Sequence, residues 1–173
     1  MTILFERYKN PILNFCLRIL GNRADAEDTT SEVFLSLFAK QYTYHPNAKF
    51  STWLSTIARN CCISRIRTKN NLVSIWFKKE DGSVDEWDIE DSSELSRASL
   101  ENKEMAKRVR VSISKLPLEQ KEAIVLREYQ GLHYEQIAQV LNCSLEKTKI
   151  LIFRAREQLR DDLSSFVKEG HNG

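Results

Sequence analysis

The chain has 173 residues, with 26 Lys and Arg against 24 Asp and Glu, a formal net charge of +2. Its 5 Gly, 3 Pro, 42% hydrophobic and 29% charged residues argue against a β-sandwich and against a disordered chain, and favour a helical globular protein. The length suits one domain or two small ones.

The opening, MTILFERYKNP, becomes charged at once, which argues against a leader peptide or a membrane span. Leu4, Tyr8, Ile12, Phe15 and Ile19 then recur at helical spacing over residues 3–20. Pro11 should kink or restart that helix, and Gly21 should close it. Residues 24–40 (ADAEDTTSEVFLSLFAK) form the next predicted helix, with Asp25, Glu27 and Asp28 in its first turn. Anions there are favoured by the helix dipole. Val33, Phe34, Leu37 and Phe38 make its apolar side, while Asp25, Asp28, Glu32 and Ser36 share another face. That acidic stripe reads either as a solvated surface or as a docking face for a basic partner.

A polar loop, QYTYHPNAK, follows. Its Tyr42 and Tyr44 are candidates either for stacking on unpaired bases or for plugging the core. Residues 50–67 (FSTWLSTIARNCCISRIR) read as a third helix, with Leu54, Ile57, Ala58 and Cys61 inward. Trp53, Thr56, Asn60, Ser64 and Arg67 fall on its other face. An indole among polar and basic groups suits single-stranded nucleic acid; the alternative is that Trp53 packs on a neighbouring loop.

Composition shifts at residues 69–97, which are rich in Asn, Ser, Asp and Glu and read as a flexible acidic linker. Residues 80–94 hold eight of the 24 acidic side chains and no Lys or Arg. The rest of the chain therefore carries 26 basic against 16 acidic residues, a net +10. A basic body with an acidic segment points to a polyanionic partner and to a stretch that mimics or shields one. The four cysteines (Cys16, Cys61, Cys62, Cys143) lack metal-ligand spacing, so no metal or other cofactor is expected. A reducing, cytoplasmic setting fits them.

Residues 98–116 and 118–129 are predicted helices, separated by Pro117 and closed by Gly131. Then comes LHYEQIAQVLNCSLEKTKILIFRAREQL, residues 132–159. A short helix carries Ile137, Val140 and Leu141 inward, and Asn142-Cys143-Ser144 forms a tight turn. Asn tolerates the left-handed conformation, and Ser is a good N-cap. In the second helix Thr148, Ile152, Ala155 and Leu159 form the inner face. Lys147, Ile150, Leu151 and Arg154 are spaced to share an outer one. The pattern reads either as a packed helical hairpin or as a helix-turn-helix whose second helix enters the DNA major groove.

Taken together, GNRADAEDTTSEVF with FSTWLSTIARNCCISRIR resembles region 2 of bacterial sigma factors, and LPLEQKEAIVLREYQGLHYEQIAQVLNCSLEKTKILIFRAR resembles region 4. With nothing like region 3 between them, the chain resembles the extracytoplasmic-function (ECF) subfamily. The resemblance implies an all-α protein of two small helical domains. Residues 1–68 would bind core RNA polymerase and the −10 element, residues 69–97 would link, and residues 98–173 would bind the −35 element through the helix-turn-helix. It implies polymerase contacts from Asp25, Asp28, Glu32 and Phe34. It implies −10 contacts from Trp53, Arg59, Asn60 and Arg65, and −35 contacts from Tyr134, Lys149 and Arg154. It further implies a linker near the RNA exit path, an anti-sigma partner, and no catalytic residue.

Three departures from the family pattern stand out. A family-typical N-terminal helix is short or absent. Ser64 replaces a common acidic residue, and Ile150 and Leu151 stand where Ser and Arg are common. The pair Ile150 and Leu151 is therefore expected either to meet thymine methyls or to be covered before DNA arrives. A rival reading is a stand-alone helix-turn-helix regulator that never touches polymerase. Such a protein would need neither the acidic stripe nor the Trp53 helix. An enzyme acting on nucleic acid is disfavoured, because no catalytic constellation is visible.

Overall fold

The computed structural model describes residues 2–45, 49–76 and 100–169. They form seven helices: α1 (Thr2–Leu20), α2 (Arg23–Lys40), α3 (Phe50–Trp76), α4 (Leu100–Lys115), α5 (Leu118–Glu128), α6 (Tyr134–Leu141) and α7 (Leu145–Glu169). A 3-10 turn at Gln41–Thr43 follows α2, and no strand occurs among the described residues. The all-α expectation holds.

Local chemistry sets the boundaries. Gly21, at φ +69°, ends α1 by donating its N–H to the Leu17 carbonyl at 2.8 Å. A side chain would be strained in that conformation. Asn22 then caps α2, its Oδ1 accepting from the Asp25 N–H at 2.9 Å. Pro11 does not divide α1, which is continuous across it.

Helix α3 corrects the expected start of the linker. It runs on to Trp76, because its last turns have partners. Thr68 Oγ1 donates back to the Ser64 carbonyl at 3.0 Å, and the Lys69 ammonium pairs with Asp25 of α2. The remainder of the expected linker, with the acidic run at 80–94, lies outside the described residues.

Helices α1, α2 and α3 pack on one another, as do α4, α5, α6 and α7. The two groups also touch, α1 lying against α4 and α5, and α3 against α6. Two consecutive runs betray this. Residues 15–19 of α1 and 122–126 of α5 are buried without a break. A helix buried all round is enclosed on more than one side. Fully burying a Leu, Ile or Phe contributes about 1.5–3 kcal/mol, and Phe15, Leu17, Leu54, Ile124, Leu126, Ile137 and Ile152 are each at most 2% exposed. Cys62 lies in the same core, its sulfur 3.7 Å from that of Cys16. That hydrogen bond, followed by burial, holds the Cys62 thiol far above its ordinary pKa, so it acts as a small hydrophobe rather than a nucleophile.

The turn between α6 and α7 forms as its residue types dictate. Asn142 adopts φ 51°, ψ 52°, and the Cys143 N–H reaches back to the Ala138 carbonyl at 3.0 Å. Ser144 Oγ accepts from the Lys147 N–H at 3.1 Å to start α7. Asn142→Gly is expected to leave thermal stability within about 0.5 kcal/mol of wild type. Asn142→Val should lose about 1–2 kcal/mol by thermal unfolding, because a branched Cβ opposes the left-handed conformation.

Candidate functional site

The acidic stripe of α2 is partly spent on α3. Glu32 accepts from the Arg65 guanidinium at 2.7 Å, and Asp25, with its side chain 16% exposed, is bridged to Lys69. Asp28 is exposed. Phe34 is buried, as its place on the apolar side of the helix requires: it is 5% exposed and meets Phe5 edge-on, ring centroids 4.8 Å apart. It therefore belongs to the seam between α1 and α2 rather than to an outer face. The apolar side chains that α2 does present are Leu35, 69% exposed, and Phe38 at 47%. Between α2 and α3 runs an open groove of about 380 Å³, lined by Glu32, Leu35, Lys40, Asn60, Cys61 and Ser64 among others. Asn60 thus lines this open groove.

Trp53 sits half-buried in an aromatic cluster, its ring 5.1 Å from that of Tyr44 and 5.8 Å from Phe50. Tyr8 meets Phe50 from α1 at 5.2 Å. The loop tyrosine therefore covers the indole, as one of the two sequence readings expected. Tyr42 projects into solvent, 88% exposed.

Arg59 is committed elsewhere. Its Nε and NH2 donate to the two carboxylate oxygens of Glu122 at 3.0 and 3.3 Å. Glu122 lies on α5, 63 residues further along, with its side chain 1% exposed. Burial pushes the Glu122 carboxyl pKa up; the Arg59 charge and hydrogen bonds oppose that, and Glu119 reinforces it. Around this pair, Gln136 Nε2 donates to Thr52 Oγ1 at 3.1 Å and Gln130 Nε2 to the Pro11 carbonyl at 2.8 Å. The Arg18 guanidinium lies 3.5 Å from the Tyr129 ring centroid. Sequence reasoning missed this seam. The unbroken run EAIVL in α5 was the available signal, since it leaves no polar face for solvent.

Helix α7 separates its faces cleanly. Thr148, Leu151, Ile152 and Ala155 are buried, at spacings i, i+3, i+4 and i+7 that define one inner stripe. Leu151, expected on the outer face, is 7% exposed and part of this core. The outer stripe carries Glu146, Lys149, Ile150, Phe153, Arg154 and Glu157, all exposed. Ile150 is 49% and Phe153 61% exposed, so Phe153 takes the place expected of Leu151. Lys147 and Arg156 flank the stripe and pin α7 to α5, through Glu119 at 2.7 Å and Glu128 at 2.6 Å. Tyr134, at the start of α6, lies under the Arg127 guanidinium, 5.1 Å from its ring centroid.

The Arg59–Glu122 pair yields a signed expectation. A carboxyl whose folded-state pKa is raised binds more protons folded than unfolded. Stability therefore falls as pH climbs from the ordinary carboxylate value through the raised one. Removing Arg59 removes the influence that opposes the rise. Arg59→Ala is thus expected to cost up to about 3 kcal/mol at neutral pH. The difference in Tm from wild type should narrow as pH falls and Glu122 takes up its proton. A pH-independent difference would show that the buried carboxylate is not the cause.

Comparison with known proteins shows the family. Residues 4–71 match sigma-70 region 2, and residues 102–159 match sigma-70 region 4. The chain is 32% identical over 162 residues to the ECF RNA polymerase sigma factor SigW of Bacillus subtilis, covering 92% of this chain and 87% of that one. It is 30% identical over 176 residues to the RNA polymerase sigma-H factor of Pseudomonas aeruginosa, covering 96% and 88%. The fold matches that of the sigma factor RpoE of Bartonella quintana, solved with the anti-sigma factor NepR. There the TM-score is 0.77 at 21% identity, over 94% of this chain and 96% of that one. A second match is CnrH, solved with the cytosolic domain of CnrY, with a TM-score of 0.65 at 21% identity over 95% and 87%. The chain belongs to the sigma-70 family, among the ECF sigma factors, which act by binding RNA polymerase and directing transcription initiation rather than by catalysis.

Proposed function

We propose that three surfaces divide the work of initiation. The exposed part of α2, with Asp28, Leu35 and Phe38, docks on core polymerase, and Asp25 and Glu32 border it. The α3 face with Trp53, Asn60 and Arg65, beside the α2–α3 groove, engages the −10 element once melted. Arg59 joins it when released from Glu122. The outer stripe of α7 reads the −35 element. The observation that carries this reading is that stripe: Lys149, Ile150, Phe153 and Arg154 stand together, exposed, on a helix whose other side is core.

The two cations supply phosphate contacts, which position the helix but do not specify sequence. Ile150 and Phe153 cannot hydrogen-bond a base edge. They can pack on a thymine methyl, which only T presents in the major groove. Tyr134 and Lys147 border this helix. Residues 1–68 and 98–173 form the two functional domains, with α3 extending eight residues past the first. We place the protein in the cytoplasm, where its polymerase and DNA are. Among the described residues no helix is long and apolar enough to cross a membrane. An anti-sigma protein is its inferred regulator, the kind of partner with which RpoE of Bartonella quintana was solved.

Two experiments test the assignment. In vitro transcription with core polymerase across a −35 substitution series should show thymine preferred where Ile150 and Phe153 lie. Ile150→Arg should move one position toward guanine, with about 1–3 kcal/mol of discrimination. An identical base preference in wild type and variant overturns the −35 reading. For polymerase docking, Asp28→Lys with Leu35→Asp should weaken core binding by several kcal/mol while helicity of the free protein is kept. Unaltered core affinity would place the docking face elsewhere and favour the stand-alone regulator.

A further inference from the structure

We infer that the far turns of α3, residues 67–72, are a second DNA contact, which holds duplex immediately upstream of the −10 element with Arg67 on a backbone phosphate. The inference rests on the α3 part of the reading proposed above and extends it from melted to paired DNA.

Charge is sorted between α2 and α3. Helix α2 carries Asp25, Glu27, Asp28 and Glu32 in 18 residues. The 27 residues of α3 include no Asp or Glu, and their cations are Arg59, Arg65, Arg67 and Lys69. The helix dipole does not account for this. It favours acids in the first turn, and α3 has none there either. A helix kept free of acids along its whole length suits a polyanionic partner.

One of these cations is left over. Arg59 is answered by Glu122, Arg65 by Glu32 and Lys69 by Asp25. Arg67 is exposed and makes no ion pair among the described residues. Arg65 and Lys69 sit one turn apart on the flank that meets α2. Arg67, between them in sequence, is rotated roughly 160–200° from both at about 100° per residue. It falls in line with the proposed −10 face instead. Trp53, Thr56, Asn60, Arg67 and Asn71 stand at i, i+3, i+7, i+14 and i+18, a single stripe. That stripe outlasts the packed part of the helix, for every residue from Arg67 to Leu72 is exposed. These turns bury no side chain in the core and are open to a ligand as large as a duplex.

The two ends of the stripe differ in chemistry. At the Trp53 end the rings of Tyr44 and Phe50 gather around the indole, and aromatic rings stack on unpaired bases. Between Trp53 and Trp76 the helix has no aromatic residue. An opened promoter is melted from the −10 element toward the start site, so the paired DNA that borders this element lies upstream. The ring-free, cationic end of the stripe faces that duplex. Arg67 is seven residues past Asn60, about 10 Å at ~1.5 Å per residue, or about three base pairs at ~3.4 Å each. A guanidinium grips phosphate through two parallel N–H donors, and the Asn70 amide, one turn further on, can add an uncharged donor to the same backbone. Such contacts position the chain without reading sequence. They anchor the upstream edge of the bubble while the neighbouring pairs separate.

The test uses holoenzyme formed from the full chain and core polymerase. The probe is fork DNA with an unpaired −10 strand, duplex upstream of it and no −35 element. Phosphates of the duplex are replaced one at a time by neutral methylphosphonates. Within about three to five base pairs of the junction, a replacement should weaken binding by wild type and cause no further loss in Arg67→Gln. On unmodified DNA Arg67→Gln should bind more weakly than wild type. That gap should shrink about 3.5-fold between about 50 and 200 mM salt, the response to one neutralised phosphate. Arg67→Lys, which keeps the charge, should keep the salt dependence. Circular dichroism of the free variants should match wild type. Equal methylphosphonate losses in wild type and Arg67→Gln at every position, or parallel salt dependence of the two, overturns the upstream contact. Trp53→Ala separates this result from the −10 reading. If it weakens fork binding while Arg67 is uncoupled from every phosphate, the upstream contact alone falls. If it binds as wild type while Arg67 stays coupled to a duplex phosphate, the melted-strand role of Trp53 falls and the upstream contact stands.

Discussion

A carboxylate at 1% exposure, Glu122, is tolerated because one guanidinium meets both its oxygens. Much of the arrangement depends on that pair. Desolvating a carboxylate costs several kcal/mol, and a bidentate partner offsets that cost only while the geometry holds. Replacing such a pair by apolar side chains is often neutral or stabilising, so the pair is weak as glue. It is strong as a specifier: its two-pronged geometry ties α3 to α5 across 63 residues.

The division of labour between apolar and polar packing follows from this. One apolar cluster joins Phe15, Leu17, Leu54 and the Cys16–Cys62 pair of α1–α3 to Ile124, Leu126, Ile137 and Ile152 of α4–α7. Between the groups that cluster is accompanied by amide-to-hydroxyl, amide-to-carbonyl and cation-to-ring contacts. Each has a hydrated state of nearly equal free energy.

Much of this was legible in the chain, and the rest failed for identifiable reasons. The α6–α7 turn was legible because its determinants are local: Asn142 takes the left-handed conformation and Ser144 caps the next helix. The end of α1 at Gly21 was legible for the same reason. Leu151 was misplaced because the spacing from Lys147 and Arg154 was weighed above its spacing from Thr148 and Ala155. Both fit a helical period, and only the inner one is packed. The burial of Phe34 follows from helical period, whereas its partner Phe5 lies on another helix, a contact no local window reveals. The Arg59–Glu122 bond spans 63 residues and was invisible to any periodicity. The extension of α3 to Trp76 depends on Lys69 finding Asp25 on another helix.

The same long-range pairing limits what charge counting says about DNA binding. By sequence α7 begins as a basic helix, with Lys147, Lys149, Arg154 and Arg156 in its first twelve residues. Two of these are answered inside the protein, Lys147 by Glu119 and Arg156 by Glu128. Such exposed pairs add little stability, but each fixes a cation at the flank and cancels its far field. Lys149 and Arg154 make no ion pair among the described residues, and both stand on the outer stripe beside Ile150 and Phe153. Counterion release on DNA scales with the phosphates neutralised, so the two outer cations contribute more of it than the two that must first give up a carboxylate. A helix with four cations and an apolar centre would clamp any duplex. With two of them tied back to α5, non-specific attraction is reduced, and in the proposed −35 reading the choice among sequences falls more heavily on Ile150 and Phe153.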